Sequence, residues 1–127
     1  MTKSDPLTEA EPARELIRQA ALDYFEGWFD GDVERMDRAL HPDLVKRWPG
    51  EEHGANLGIT TKERMLELTA AGAGAEAGVD RRLEVEIEDV YGDIASVTVS
   101  SAVYHEYLHL VRTRDGWKIA NALWRRT

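Results

Sequence analysis

The last third of the chain places the strongest constraint on its fold. Across residues 83–124, apolar and polar residues alternate with the period of two that is typical of β-strands. The alternating segments read LEVEIEDV, DIASVTVSSAVYHEYLHLVRT and WKIANALW, and turn residues separate them at positions 91–93 and 114–116. Because Asp-Gly is a strong hairpin signal, the second turn is expected to join antiparallel strands. This part of the sequence therefore predicts an antiparallel meander.

Three predicted helices precede the meander. The first carries a wide apolar stripe at helical spacing, made of Leu16, Ile17, Ala20, Ala21, Tyr24, Phe25, Trp28 and Phe29. Pro12 suits the first turn of this helix, and Gly31 suits the position just after its end. Asp32 is expected to cap a second helix, and Thr60 to cap a third. Helices followed by a meander predict the α+β class, with the helices packed on one curved sheet.

The longest alternating segment, residues 94–113, exceeds the length of an ordinary strand. We expect a tight turn or a bulge at about residues 102–105, which would shift the faces of the residues beyond it. In a regular strand, His105, Tyr107 and His109 share one face and would line the interior of the sheet. Glu106 would then point the opposite way, towards solvent or a dimer partner.

The composition bounds the class of protein. A chain of 127 residues is expected to form one domain, with a disordered tail at 1–8 and the domain at 9–127. The absence of cysteine excludes thiol catalysis and cysteine metal sites. A formal charge of −8 argues against binding to nucleic acid. Because no segment has the ~20 apolar residues of a membrane span and the N-terminus does not resemble a signal peptide, we expect a cytoplasmic protein without membrane contact.

Two stretches, ALDYFEGWFDGDVERMDRALHPDLVKR and EYLHLVRTRDGWKIANALW, resemble the lumazine-binding-like or SnoaL-like branch of the nuclear-transport-factor-two-like superfamily. The resemblance covers residues 12–126, and its strongest motifs lie at 28–32, 40–43 and 115–119. It implies a cystatin-like cone, in which a curved antiparallel sheet wraps around three N-terminal helices and leaves a cavity. It also implies a homodimer that pairs through the outer face of the sheet. The superfamily includes ketosteroid isomerase, scytalone dehydratase and polyketide cyclases, so the fold alone does not assign an activity.

Tyr24 is the first candidate site residue. In the isomerase members that the chain resembles, a tyrosine at the matching position donates a hydrogen bond to a substrate oxygen, and such a donor stabilises an enolate. The alternative is a core tyrosine whose hydroxyl binds a buried acceptor. Those isomerases also place a general-base carboxylate just after the second helix. The matching positions here are Arg47 and Trp48, so isomerase-type proton abstraction is not expected.

His41 is the candidate acid or base, because histidine exchanges protons near neutral pH and the resemblance places it beside the cavity. Its alternative is a framework role at the end of the second helix. His105 and His109 are candidates for the lining of the cavity. At i, i+4 on a strand they would lie ~13 Å apart, so they are not expected to bind one metal ion together.

The aromatic residues are the remaining candidates for ligand contact. Trp28, Trp48 and Trp124, together with Tyr107, offer flat surfaces for a planar ligand, although aromatic side chains also form ordinary core. Trp117 and Trp124 would project from opposite faces of a regular last strand, so one of them is expected to face inward. No Gly-rich phosphate loop or dinucleotide fingerprint is present, and no cofactor is expected.

Two functional hypotheses follow. In the first, the chain binds a small apolar or aromatic molecule in a pocket between Tyr24, Trp28, Trp48 and the inner strand face. In the second, it is an enzyme of the cyclase, isomerase or dehydratase kind, with His41 or a strand histidine as acid or base and Tyr24 as donor. The missing carboxylate favours the first. A protein whose main task is dimeric interaction is a third interpretation.

Overall fold

A computed structural model describes residues 6–50 and 54–127. It contains three helices and six strands: α1 Pro6–Asp30, α2 Val33–Ala39, β1 Leu40–Pro49, β2 Leu57–Thr61, α3 Lys62–Ala70, β3 Glu84–Tyr91, β4 Ile94–Ser100, β5 Tyr104–Thr113 and β6 Gly116–Arg126. Of the predicted N-terminal tail, residues 1–5 lie outside the described residues, whereas residues 6–8 belong to α1. Pro12 therefore lies inside α1 and not in its first turn.

The strands form one curved sheet in the order β2-β1-β6-β5-β4-β3. Every neighbouring pair is antiparallel except β1 and β6, which run parallel. The helices cover its inner face, and together they enclose the core. The predicted α+β class and the wrapped, mostly antiparallel sheet are confirmed.

The apolar stripe of α1 supplies one half of the core. Its members are buried or half-buried except Leu16, whose side chain is 56% exposed. Gly31 ends the helix with a φ of 67°, a left-handed conformation that glycine adopts without strain. Asp32 caps α2 as predicted, because its side chain accepts a hydrogen bond from the Arg35 backbone N–H. The cap of α3 is Thr61 rather than Thr60.

The hairpin between β4 and β5 decides which residues face the core. The predicted break in the long segment is confirmed, at residues 101–103. Ser100 pairs with His105 and Val99 pairs with Glu106, so odd-numbered residues of β4 lie beside even-numbered residues of β5. Since Val97 and Val99 are buried, the inner face of β5 consists of Tyr104, Glu106, Leu108 and Leu110. The prediction that His105, Tyr107 and His109 line the interior is therefore wrong, and so is the outward orientation of Glu106.

A second irregularity changes the faces of β6. His109 pairs with Asn121 but Leu110 pairs with Ile119, so β6 holds one extra residue at this point. A bulge of this kind reverses the alternation beyond it. As a result, Trp117 and Trp124 both lie on the inner face, where Trp117 belongs to the core and Trp124 packs against it. The expected opposite orientation of these two residues is wrong for the same reason.

Candidate functional site

A cavity of about 250 Å³ lies between α1, α3 and the inner face of the sheet. Its lining is mostly apolar and aromatic, with a small number of ionisable groups. The lining residues are Tyr24, Phe25, Trp28, Lys46, Thr60, Met65, Leu68, Ala73, Glu76, Tyr104, Glu106, Trp124 and Arg126. This combination of an apolar wall and a few convergent polar groups is typical of small-molecule sites.

Three polar side chains meet at the wall of the cavity. The Tyr24 hydroxyl, on α1, donates a hydrogen bond of 2.8 Å to the Glu106 carboxylate. The Lys46 ammonium, on β1, donates to the Tyr24 hydroxyl and lies 3.6 Å from Glu106 Oε1. All three residues are buried. Because β6 lies between β1 and β5, only the folded sheet brings Lys46 and Glu106 together.

Burial controls the protonation of these groups. It raises the pKa of Glu106, and the nearby Lys46 and Tyr24 only partly oppose that rise. Burial also lowers the pKa of Lys46, although the charge of Glu106 acts in the other direction. The Tyr24 pKa lies well above its ordinary value because of burial and the adjacent carboxylate. The pKa values of Lys46 and Glu106 thus move towards each other, so moving a proton from Lys46 to Glu106 becomes easier than it is in water.

Aromatic rings surround the lysine. Lys46 Nζ lies 4.9 Å from the ring centroids of both Tyr24 and Trp124 and 5.9 Å from that of Trp28. The indole N–H of Trp28 donates a hydrogen bond of 3.0 Å to the Tyr104 hydroxyl, and Tyr104 meets Trp124 edge to face at 5.7 Å. The rings of Trp28, Tyr104 and Trp124 thus support one another as a rigid wall. The buried Trp124 Nε1 has no hydrogen-bond partner within the described parts of the chain.

A second ion pair lies at the more exposed side of the cavity. The Arg126 guanidinium is 2.6 Å from the Glu76 carboxylate, and both side chains are about half exposed. The guanidinium also lies 5.5 Å from the ring centroid of Tyr104, a favourable cation–π distance. The charged groups that line the cavity are therefore paired, Lys46 with Glu106 and Arg126 with Glu76.

Of the residues predicted to bind ligand, Tyr24, Trp28 and Trp124 line the cavity, and their role in binding stays a prediction. Trp48 does not belong to the lining. Its indole covers Gly58 on the neighbouring strand, where an added Cβ would lie 1.7 Å from Trp48 Nε1, and its ring centroid is 6.5 Å from that of Trp124.

The three predicted residues of β5 lie on the outer face of the sheet. His105 Nδ1 is 3.1 Å from the Ser100 hydroxyl, and its ring packs edge to face on that of Tyr107. Tyr107 and His109 are exposed. None of the three lines the cavity between the helices and the sheet.

His41 also lies away from the lining residues. Its Nδ1 accepts a hydrogen bond of 3.0 Å from the Asp43 backbone N–H, which stabilises the turn at the start of β1. This contact agrees with the framework interpretation of His41, and it does not place the imidazole at the cavity.

The sequence interpretation missed Lys46 and Glu106. The available signal was one charged residue in an otherwise apolar or aromatic alternation, since Glu106 follows Tyr104 and precedes Leu108 and Leu110. This signal is useful only when the position of the hairpin break is known, because the break decides which residues of β5 face inward. On β1, Lys46 is likewise a charged residue two positions after a buried apolar residue, Leu44.

Residues 6–50 and 54–127 contain no group of three or more histidine, aspartate or glutamate side chains arranged to hold a metal ion. Within the same residues, no helix combines the length and apolar character needed to cross a membrane.

Comparison with known proteins identifies the fold family. A family model described as "Putative lumazine-binding" matches residues 12–125. No curated protein matches the chain. An NTF2-like protein of unknown function from Silicibacter pomeroyi is 18% identical, with a TM-score of 0.68 and coverage of 100% of both chains. An NTF2-like protein from Cytophaga hutchinsonii is 18% identical over 90% of this chain and 98% of that one, with a TM-score of 0.70.

A third similar structure carries a functional description of its own. It is a "putative dehydratase" of the NTF2-like family from Streptomyces avermitilis, 18% identical, with a TM-score of 0.57 and coverage of 92% of this chain and 97% of that one. At these identities, the structural matches show a shared fold alone.

Proposed function

The chain belongs to the family described as "Putative lumazine-binding", and from this membership we propose that it binds a small molecule in the cavity between α1, α3 and the sheet. The observation that carries the proposal is the cavity of about 250 Å³, in which the buried polar cluster of Tyr24, Lys46 and Glu106 meets an aromatic wall. Buried charges are costly, and a protein that needed only a packed core gains little from them.

The lining supports a proposal for the class of ligand. The volume corresponds to about eight water molecules, which suits a compact molecule of one or two rings rather than a long chain. Trp28, Tyr104 and Trp124 present rings that favour a planar apolar body. Lys46 and Tyr24 favour an oxygen atom at one end of the ligand. Since the charged lining residues are already paired, the ligand needs no net charge.

Binding is tested by titrating the protein with a library of small aromatic metabolites while tryptophan fluorescence and native mass spectra are recorded. A ligand of this cavity is expected to quench or shift the fluorescence, because two of its wall residues are tryptophans. Tyr24→Phe should weaken binding, whereas Tyr107→Phe on the outer face should leave it unchanged. Equal affinities for the two variants, or no ligand at all, would contradict the proposal.

A second candidate function is acid–base catalysis of the cyclase, isomerase or dehydratase kind. It is favoured by one observation, the buried Glu106 carboxyl with a raised pKa beside the Tyr24 hydroxyl. Glu106 would carry the proton, and Tyr24 would hold the substrate oxygen. The test is Glu106→Gln, which should abolish turnover of a bound substrate while ligand affinity changes little. Persisting turnover would exclude Glu106 as the acid or base.

We also propose a homodimer that pairs through the outer face of the sheet, as the family resemblance implies. The support is an exposed apolar pair in the middle of that face. Tyr107 on β5 is directly opposite Leu123 on β6, and their residues are 54% and 45% exposed. Large apolar side chains grouped on a sheet face are typical of protein contacts.

A further inference from the structure

We propose that Lys46 is a nucleophile that forms a covalent imine with an aldehyde or ketone held in the cavity. This inference rests on the proposed function, because the carbonyl compound must first occupy the same cavity. It goes further by assigning the ligand a reactive group and the protein a covalent step.

The surroundings of Lys46 set its amine apart from the other described lysines. Lys62 Nζ donates to the backbone carbonyls of Asp37 and Leu40 and lies 3.0 Å from the Asp37 carboxylate, and Lys118 Nζ donates to the backbone carbonyl of Arg38. The partners of Lys46 Nζ, Tyr24 and Glu106, are both side chains, and this amine lies at the wall of a cavity. Its amine is therefore the one positioned to meet a ligand rather than to hold the backbone.

Burial makes this amine a usable nucleophile. Only 10% of the Lys46 side chain is exposed, so little water solvates its ammonium group. An apolar enclosure disfavours the ammonium form and favours the neutral amine, which has a free electron pair. The lowered pKa of Lys46 agrees with this environment. Glu106, 3.6 Å away, can hold the proton that the amine releases.

The step balances with the groups present. The neutral Lys46 amine attacks the carbonyl carbon, a C–N bond forms, and the carbonyl oxygen takes up protons, one supplied by the Glu106 carboxylic acid and one by the attacking nitrogen. The C–O bond then breaks and water leaves. An amine, a carboxylic acid and a carbonyl compound thus become a protonated imine, a carboxylate and one water molecule. The Glu106 carboxylate remains beside the imine cation as its counterion, and no oxidant or reductant is needed.

Tyr24 positions the substrate for this step. Its hydroxyl lies between Lys46 and Glu106, so a carbonyl oxygen that enters beside Lys46 Nζ lies next to it. Once the Glu106 carboxyl is protonated, the hydroxyl proton is no longer committed to Glu106 and can be donated to that carbonyl oxygen. A donor at the carbonyl oxygen makes the carbon more electrophilic and stabilises the charge that develops on the oxygen during attack.

The experiment incubates the protein with benzaldehyde and cyanoborohydride near neutral pH and locates the reduced benzyl adduct by peptide mass mapping. Lys46 should be labelled at least about tenfold faster than Lys118, because Lys46 Nζ lies at the wall of the cavity that would hold the aldehyde, whereas Lys118 Nζ donates to the Arg38 carbonyl. Lys46→Arg keeps the positive charge without the nucleophile and should remove the fast labelling. Labelling at equal rates on Lys46 and Lys118 would overturn the proposal.

Two further measurements separate the covalent step from binding and from folding. Benzyl alcohol has the same ring but cannot form an imine, so its fluorescence titration reports binding alone. Binding of benzyl alcohol without fast labelling of Lys46 would refute the imine and retain the proposed function, whereas failure of both would remove the two together. If Lys46→Arg does not fold, the variant Lys46→Met/Glu106→Gln removes both buried charges at once and should also lose the fast labelling.

Discussion

The Tyr24 hydroxyl donates to the Glu106 carboxylate over 2.8 Å and so joins α1 to β5 across 82 positions of the chain. Both residues are about 2% exposed, so water does not compete for this hydrogen bond. The contact links the first helix to the centre of the sheet and forms one wall of the cavity.

Replacing Tyr24 by Phe should reduce stability by about 1–3 kcal/mol, because the change leaves a buried carboxylate without its hydroxyl donor. Urea denaturation of the two proteins measures the difference. Tyr91→Phe is the matched control, because Tyr91 is 78% exposed and this change should stay within about 0.5 kcal/mol of the parent. Equal effects of the two changes would mean that the Tyr24 hydroxyl contributes nothing to stability.

Lys46→Met should destabilise the protein more strongly as the pH rises. The pKa of Glu106 is higher in the folded protein than in the unfolded chain. The protonated carboxyl therefore contributes stability at pH values below the pKa of the unfolded chain, and this contribution is lost as the pH rises through the pKa of the folded protein. Without Lys46 that loss is larger, because the carboxylate would be buried without its partner. Denaturation at about pH 5 and about pH 8 measures this trend.

The control for that trend is Lys46→Met/Glu106→Gln, which has no buried charge at this place. Its stability should change little with pH relative to Lys46→Met. If both variants follow the same pH profile, the Glu106 carboxyl is not the group that titrates.

Asp23→Asn should reduce stability near neutral pH but not in strong acid. Burial tends to raise the pKa of Asp23, but hydrogen bonds and charges from Arg38 and Arg35 outweigh it and lower the pKa below its ordinary 3.8. A carboxylate whose pKa is lower in the folded protein contributes stability at pH values above the pKa of the unfolded chain. This contribution is lost as the pH falls through the pKa of the folded protein. Thermal or urea unfolding as a function of pH measures it. Asp43→Asn, at a side chain that is 93% exposed, is the matched control and should change stability by less than about 0.5 kcal/mol near neutral pH.

Gly58→Ala should cost about 1–3 kcal/mol because the new methyl group collides with the indole of Trp48. In a Trp48→Ala background the same change should cost almost nothing, since the collision is absent. A double-mutant cycle by denaturation gives the coupling between the two positions. Equal costs in both backgrounds would show that the glycine is needed for its backbone and not for the space above it.

Leu123→Glu should convert the proposed dimer to a monomer, because it would bury an unpaired charge in the interface. Sedimentation velocity at micromolar concentration measures the state of association. Leu16→Glu, an exposed change on α1, should leave a dimer intact. A parent protein that sediments as a monomer would refute the proposed interface.

Much of the architecture followed from local patterns. The stripe of α1 gave the buried side of the helix, Asp32 gave a cap, and the turn at 114–116 gave the last hairpin, because each depends on residues within a few positions of one another. The exception on α1 is Leu16, which falls at the edge of the stripe, where neighbouring elements decide what is covered.

The faces of the later strands could not be predicted from the pattern alone. A shift of one residue in a strand reverses every side chain beyond it. Because of the hairpin at 101–103, His105 faces outward and Glu106 faces inward, opposite to the prediction. Because of the extra residue in β6, Trp117 and Trp124 share one face and do not lie on opposite faces. Both events occur in segments that alternate well on either side, so the alternation does not reveal them.

The sequence by itself determined the α+β class, the helix stripe and the turns at 91–93 and 114–116, because these arise from propensities and periodicities that act over short distances. Only the tertiary structure decided the site. Lys46 and Glu106 lie 60 positions apart on strands separated by β6, and their meeting depends on sheet order, register and one bulge. Those features come from the packing of the whole sheet against α1, which no local segment encodes.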